Sequence, residues 1–362
     1  MSKIVVAMSG GVDSSVAAYL LREQGYNVVG LTMDLFDIPG GKCEGAEAKG
    51  CCGWKAKEDA ARVAAALKVP HFVVDLKKEF ARAVIDDFCG EYALGRTPNP
   101  CIRCNEEIKF RALVEKARKL GADRVATGHY ARLDHDLISG RWVLRKGVDA
   151  AKDQSYFLYS LTQSQLAAAL FPLGEMTKPE VRRIAARLGL SVAERPESQE
   201  ICFVPDNDYA RFVAGRCPET LAPGPILDTS GRILGSHKGI LHYTVGQRKG
   251  MGVAAKHPLY VIAIDPVNRA VVVGPNEKLY KKGLLVEKLS FVAVRALDGP
   301  RDLKVRLRYR HAEAPARITP EKEGWVRVVF KEAQRAVTPG QSAVFYDGDV
   351  VVGGGIIRES ID

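Results

Sequence analysis

Two groups of residues in this sequence have the types and spacing to do chemistry. The first is the stretch Ala7, Met8, Ser9, Gly10, Gly11, Val12, Asp13, Ser14 and Ser15. It follows an apolar run at 4–7 and precedes Val16, Ala17, Leu20 and Leu21 at helical spacing. That layout is strand, glycine turn, helix, and it exposes backbone N–H groups where the helix dipole also favours an anion such as phosphate or pyrophosphate. The spacing is too short for a Walker loop, no lysine follows the second glycine, and the pattern is not GxGxxG. A plain structural turn is the competing reading. The second group is made of thiols. Cys101 and Cys104 form a CxxC before a helix expected to be capped by Asn105, and Cys202 lies in a second proline-bounded loop. Thiols at a helix N-terminus ionise more readily, and Arg103 and Lys109 would add to that. Two thiols meeting over a nucleotide could exchange a persulfide and close as a disulfide. Alternatively, the CxxC with Cys202, and with a cysteine from the 43–52 stretch, could hold zinc or an iron–sulfur cluster. Cys89 and Cys217 read as buried, inert thiols.

These groups need a frame to bring them together. Residues 28–33, 71–75 and 124–128 read as strands, and 57–68, 79–94 and 105–120 as helices. Repeated strand–helix units imply a doubly wound parallel sheet with ligands at the carboxyl ends of its strands. The glycine turn, Met33 and Gly128 all fall at such ends. Three segments interrupt the pattern. Residues 37–54, with Cys43, Cys51 and Cys52, read as a mobile insertion. In 95–105, Pro98 and Pro100 are expected to forbid helix and hold the backbone extended, and 194–206 is again bounded by prolines. A hairpin is expected at 131–146, and a capping box from Thr177 to Glu180 opens a further helix.

Beyond residue 208 a short helix at 209–214 gives way to Gly, Pro and brief β-branched runs, with turn signals at 229–231 and 347–348. The expected organisation is a catalytic domain at 1–207, a small central β-rich domain at 208–284 and a C-terminal β-barrel at 285–362. The 362 residues allow two or three cored domains. No apolar run could span a bilayer and the chain enters a strand at once, so a cytoplasmic location without a signal peptide is expected. Eight cysteines in such a chain point to metal or reactive thiols rather than a disulfide framework. The net charge is +10. There are 29 basic and 26 acidic residues up to Pro205, and 24 against 17 beyond it. The surplus sits in the β-rich part and suits a polyanionic partner. There, 302–310 reads as a strand whose Lys304, Arg306, Arg308 and Arg310 share one face, a basic stripe fit for a phosphate backbone. The turn at 246–250, with Arg248 and Lys249, offers a second contact. A charged edge strand is the plainer explanation of the stripe.

Together these residues closely resemble the tRNA-specific 2-thiouridylase family of PP-loop (N-type) ATP pyrophosphatases. The likeness rests on SGGVDSS at 9–15, GRTPNPCIRCNEEIKF at 95–110, ATGHYA at 126–131 and KDQSYFLY at 152–159. It continues with ICFVP at 201–205, GQRKG at 246–250, TPGQSAVFY at 338–346 and GGGII at 353–357. It implies adenylation of the 2-carbonyl oxygen of the wobble uridine by ATP, followed by displacement of AMP by sulfur. On that resemblance Ala7, Met8, Ser9, Gly10, Gly11, Val12, Asp13 and Ser14 bind ATP, with Met33 and Gly128 on the adenine or ribose side. Asp13 suits Mg2+ or phosphate positioning, or equally an internal cap of its own turn. Cys202 carries the persulfide and Cys104 assists sulfur release through a disulfide with it. Asn99, Pro100 and Cys101 lie near the target base. His129, Lys152, Asp153, Gln154, Arg308, Tyr309 and Gln341 contact tRNA, which puts Tyr309 at a strand end rather than in the core. The implied partners are tRNAs, those for Glu, Gln and Lys, and a sulfur donor fed by a cysteine desulfurase; the chain is expected to act as a monomer. Some family members carry Asp where Cys101 stands here. An iron–sulfur cluster on Cys101, Cys104 and Cys202 therefore stays open as the alternative sulfur carrier. A PP-loop synthetase forming an amide on a small metabolite, or a non-catalytic RNA-binding protein, would leave the paired cysteines without a role.

Overall fold

The structure, a computed structural model, describes residues 2–37, 54–194, 201–204, 206–321 and 324–362. The expected insertion with Cys43, Cys51 and Cys52 lies outside the described residues, as do 195–200 and Pro205 of the second proline-bounded loop. The chain divides into two units. One comprises Met1–Ile85, Pro100–Asn207 and Asp349–Val351; the other comprises Asp86–Asn99, Asp208–Gly348 and Val352–Asp362.

The first unit is built on a sheet of parallel strands. β1 (Lys3–Ala7) leads into helix α1 (Val12–Glu23), and β2 (Asn27–Asp34) follows. Then come α2 (Trp54–Ala66), β3 (His71–Asp75) and the short helix α3 (Lys77–Phe80). β4 (Arg124–Ala126) and β7 (Ala169–Leu170) complete a sheet of order β3-β2-β1-β4-β7. β1 is apolar throughout Ile4–Ala7 because both of its faces are covered. Val6, Val16, Leu21, Val63, Val181 and Ala185 form one core across β1, α1, α2 and the later helix α8 (Lys178–Arg187). α1 ends as Gly25 takes φ +84°, the left-handed conformation that stops a helix cheaply only at glycine. The order of the strands reverses between β1 and β4, so the crevice beyond their carboxyl ends is the topological switch point where such sheets take ligands.

One proline expectation needs correction. Pro100 does not keep the chain extended; it opens a helix. α5 (Pro100–Arg103) runs into a π-helical stretch, Cys104–Ala112, and on into α6 (Leu113–Lys119). Proline is well suited to the first helical position, where its missing N–H has no partner to lose and its φ is already helical. Asn105 is therefore not the cap but a buried residue within the helical run. The π geometry is explicit in the Leu113 N–H, which donates to the Ile108 carbonyl five residues back. A second π-helical stretch, Ala81–Ile85, joins α3 to α4 (Asp86–Ala93), and the two stretches pack on each other. π-helical turns tend to occur at functional sites. The hairpin formed by β5 (Ala131–Asp136) and β6 (Arg141–Lys146) is as expected. Arg132 and Arg145 tie it to Asp349 at 2.6 and 2.9 Å. α7 (Gln163–Ala168) precedes β7, and α8 opens at Thr177, where Glu180 accepts the Thr177 N–H at 2.7 Å.

In the second unit, α9 (Tyr209–Ala214) precedes a small sheet of β8 (Gly224–Leu227), β9 (Ile233–His237), β10 (Tyr260–Asp265) and β11 (Ala270–Gly274), in the order β10-β11-β8-β9. Ile226, Val261, Val271 and Val273 form its core. Six longer strands follow: β12 (Tyr280–Phe291), β13 (Arg301–Arg306), β14 (Ala314–Pro320), β15 (Val326–Arg335), β16 (Ser342–Asp347) and β17 (Val350–Ile361). Their order is β12-β15-β14-β13-β16-β17, and pairing of β12 with β17 closes a barrel around Val286, Val305, Ile318, Val328, Phe345 and Ile357. Among the described residues no helix is long and apolar enough to cross a membrane.

The basic stripe is a second correction. β13 ends at Arg306, and Arg308, Tyr309 and Arg310 lie in the turn beyond it, so the four cations do not share a strand face. Arg306 is itself turned into the structure, 2.7 Å from Glu313 and 5.0 Å above the Tyr346 ring. Period-2 reasoning failed because a strand's length depends on its partners: β13 pairs with β16 only as far as Arg306.

Candidate active site

The glycine turn sits at the carboxyl end of β1, beside the switch point. Gly10 has φ +68°, and a Cβ there would stand 2.2 Å from the Ala56 carbonyl oxygen, so both conformation and space demand glycine. Gly11 is the N-cap of α1 and no side chain caps that end. Ser14 turns back instead, its hydroxyl donating to the Gly11 carbonyl at 3.1 Å and standing 3.3 Å from the Ser9 hydroxyl. Thr32 donates to the Met8 carbonyl at 2.8 Å and ties the turn to β2. Ala7, Met8, Val12 and Met33 are buried, Met33 being the next-to-last residue of β2. Just beyond β4, Gly128 approaches so closely that a Cβ would lie 2.8 Å from the backbone of Asp13 and Ser14. The two glycines thus let neighbouring backbone close on the turn and fix it at a helix end that no side chain caps. Its chemistry fits a polyphosphate.

Asp13 is not a cap of its own turn. Its carboxylate takes the ammonium of Lys178 at 2.7 and 2.8 Å and accepts the Tyr130 hydroxyl at 2.8 Å. Among the described residues, no group of three or more His, Cys, Asp or Glu side chains could hold a metal ion. The Asp13 carboxylate is instead engaged by Lys178 and Tyr130. Lys178 and Tyr130 escaped the sequence reading. A signal was present for Lys178: the capping box makes it the first residue of α8, where a cation opposes the helix dipole and needs a specific anion.

Cys101 is exposed and Cys104 half-buried, three residues apart on one helical run, with Cys104 opening the π-helical stretch. Cys202 is half-buried in the short turn at 201–204. Its neighbour Phe203 meets Phe80 of α3 edge-on at 5.6 Å, and α3 also packs against the stretch that begins with Cys104. The segments that carry the two thiols thus both pack against α3. The cations assigned to them have other side-chain partners. Arg103 pairs with Glu106 at 3.0 Å, and Lys109 donates to Asn105 at 2.9 Å. Asn105 in turn donates to the Phe157 carbonyl at 2.9 Å, holding the helix to the segment after 152–154. In the second unit, burial and then the neighbouring Cys217 push the Cys89 thiol up to about 11, as an inert thiol requires, although Cys217 is only half-buried.

The residues assigned to tRNA contact fall into two sets. In the first unit, Gln154 accepts the Tyr130 N–H at 3.0 Å, and its own N–H donates to the Tyr130 carbonyl at 2.9 Å. This lays 152–154 against 128–130. Lys152 is half-buried, whereas Asp153 is buried and accepts the N–H groups of Gly147 and Ser155 at 3.2 and 3.1 Å. His129 is buried too, its Nδ1 2.7 Å from the Thr127 hydroxyl and its ring against Phe110 and Phe171. In the second unit, Gln341 donates to the Thr97 carbonyl at 2.8 Å, and the Thr97 N–H donates to the Pro339 carbonyl at 2.9 Å. Arg308 donates to Thr338 Oγ1 at 2.7 Å and to the Ala336 carbonyl at 2.9 Å. Gly340, with φ +88°, lies so near Thr97 that a Cβ would be 2.8 Å from its nitrogen. Arg308 and Gln341 therefore brace the 338–341 turn and the segment leading to Asn99. Tyr309 is half-buried beyond the end of β13.

Burial, and after it the Lys109 charge, hold the His129 imidazole well below its ordinary 6.5. The folded chain keeps this histidine neutral where the unfolded chain protonates it. Below about pH 6.5 the unfolded state therefore binds more protons, and stability falls as pH drops, by up to about 1.4 kcal/mol per unit. His71, His237 and His311 are lowered by burial in the same sense. The informative quantity is accordingly the difference between wild type and His129→Gln. Denaturant titrations from about pH 7.5 down to about pH 5 should give the variant the shallower slope. Equal slopes would mean that His129 is not held neutral.

Comparison with known proteins is consistent along the whole chain. Family models match as a tRNA methyl transferase HUP domain over residues 2–206, a tRNA methyl transferase PRC-barrel domain over 210–275 and an aminomethyltransferase beta-barrel domain over 281–357. The tRNA-specific 2-thiouridylase MnmA of Halothermothrix orenii is 50% identical over 99% of this chain and 100% of its own. The protein of that name from Geotalea uraniireducens is 52% identical over 99% of this chain and 96% of its own. Among solved structures, a 4-thiouridine synthetase–RNA complex with bound ATP is 19% identical and covers 60% of this chain and 51% of that one. Its TM-score of 0.35 is too low to bear on the fold.

Proposed function

The chain is an enzyme of the tRNA-specific 2-thiouridylase family, and from that premise we propose that it uses ATP to place sulfur on the 2-carbonyl carbon of the wobble uridine of tRNA. The observation that carries the ATP part is the tightly packed glycine turn at an uncapped helix N-terminus beside the switch point. Ala7 to Ser14 hold the triphosphate, with Met33 and Gly128 on the nucleoside side. The uridine 2-oxygen attacks the α-phosphorus and pyrophosphate leaves. This turns a carbonyl oxygen, a poor leaving group, into one that departs as AMP.

Sulfur follows in two steps. The terminal sulfur of a persulfide on Cys202 adds to the activated carbon and expels AMP. The thiolate of Cys104 then attacks Sγ of Cys202, breaks the S–S bond and leaves the sulfur on the base as a thiocarbonyl. The resulting Cys104–Cys202 disulfide is reduced by an external thiol before the next turnover. The packing of both cysteine-bearing segments against α3 supports this relay. Asn99, Pro100 and Cys101 approach the base. Lys152, Gln154, Arg308, Tyr309 and Gln341 contact the tRNA, while buried His129 and Asp153 act behind them by fixing the 128–130 and 152–155 backbone. Residues 1–207 form the catalytic domain, 208–284 the central domain and 285–362 the tRNA-binding barrel. The monomer works in the cytoplasm on tRNAs for Glu, Gln and Lys, with sulfur from a donor protein fed by a cysteine desulfurase.

The test is to incubate the protein with ATP, Mg2+, a persulfide source and unmodified tRNA. One thiouridine and one AMP per event are expected. Binding of tRNA without thiouridine under any sulfur supply would favour a binding protein. AMP formation independent of tRNA would favour a metabolite synthetase.

A further inference from the structure

Lys178 is among the most costly placements in the chain. Its side chain is 7% exposed, and it is the first residue of α8, where the helix dipole disfavours a cation. Its backbone N–H donates to Asp149 at 2.9 Å, which anchors the start of the helix. Its ammonium stands 2.7 and 2.8 Å from the two carboxylate oxygens of Asp13, and 5.8 Å from the centroid of the Tyr130 ring. Tyr130 donates to the same carboxylate at 2.8 Å. With its lysine buried and its aspartate 30% exposed, the ion pair is weak evidence of a stabilising role, because desolvation of the ammonium offsets much of the attraction. Its place speaks for another role. Asp13 lies in the first turn of α1, against Gly128 and beside the uncapped N-terminus of that helix. An unpaired carboxylate there would repel the ligand the turn is shaped to accept.

We infer that Lys178 is a positioning residue of the nucleotide site, which neutralises and fixes Asp13 so that the glycine turn offers its N–H groups to a polyphosphate without a competing negative charge. Asp13 is then the anchor of this lysine and not a ligand for a divalent cation. Tyr130 orients the carboxylate from its other side. The inference rests on the ATP reading above and assigns that site a residue outside every motif that identified it.

Binding to the full-length protein by calorimetry at fixed Mg2+ tests it, with ATP and adenosine as probes. Lys178→Met uncovers the Asp13 charge, so ATP affinity should fall about tenfold or more, while affinity for uncharged adenosine stays within about twofold. Adding Asp13→Asn to that variant removes the uncovered charge and should restore most of the ATP affinity. A purely structural role would weaken both ligands alike, and that result overturns the inference. So does ATP binding unchanged in Lys178→Met. A double variant as weak as the single one also overturns it, since Lys178 would then act on phosphate directly. Should Lys178→Met fail to fold, Lys178→Gln in the Asp13→Asn background, compared with Asp13→Asn alone, gives the same reading: a further loss of ATP affinity overturns the inference, and equal affinity supports it. A wild-type protein that binds no ATP under any condition refutes the ATP reading, and the inference with it.

Discussion

Replacing Cys202 by Ser is expected to reduce thiouridine formation to the level of an enzyme-free control, while ATP-dependent release of pyrophosphate on tRNA persists. Serine keeps the size of the side chain but cannot carry a persulfide, so only the sulfur step is lost. Cys104→Ser should fail differently. The sulfur of Cys202 still adds to the activated base, but no second thiol cleaves the S–S bond, so tRNA stays covalently linked to the protein until a small thiol releases it. Denaturing gels with and without reductant, beside mass spectrometry of digested tRNA, separate the two phenotypes. Thiouridine released by Cys104→Ser at the wild-type rate would remove Cys104 from the relay. Both cysteines are half-buried, and the segments that carry them both pack against α3.

The second large effect is expected at Gly10. Alanine there meets two independent penalties. The left-handed φ of +68° costs a residue with a Cβ about 1–2 kcal/mol, and the Ala56 carbonyl oxygen 2.2 Å away blocks the methyl group itself. Relief requires α2 to move off the glycine turn or the turn to flatten, and either route displaces the N–H groups of the α1 N-terminus. Gly10→Ala should therefore lose about 3 kcal/mol or more of stability and its measurable ATP binding. Gly25→Ala, also at positive φ but with no heavy atom near its Cβ, reports the conformational part alone. A Gly10→Ala protein melting within about 2 °C of wild type would show that the turn can rearrange at little cost.

Much of the frame was readable from local pattern. The buried run Ile4–Ala7 and the helical spacing after Val16 placed the glycine turn at a strand's carboxyl end, because continuous apolar strands imply a sheet covered on both faces. Thr177 and Glu180 announced the start of α8 through short-range capping geometry. Where the reading failed, competing local rules had equal force. Pro100 served as the first helical residue rather than a breaker, and Arg306 marked the end of a strand that alternation alone would have carried on to Arg310. In both cases the outcome depended on which neighbours were present to accept or refuse the backbone's hydrogen bonds.

By itself the sequence determined the alternation of strands and helices around the glycine turn, singled out the cysteine-bearing loops and, through its motifs, gave the family. These are properties of near neighbours along the chain, where turn sterics and helix capping act within a few residues. Only the tertiary structure decided that Asp13 is held by Lys178, 165 residues away, that Gly128 and Ala56 close on the same turn, and that Gln341 braces the backbone before Asn99. Those contacts follow from strand order and helix packing, which bring distant segments within a few ångströms, and no local spacing encodes such distances.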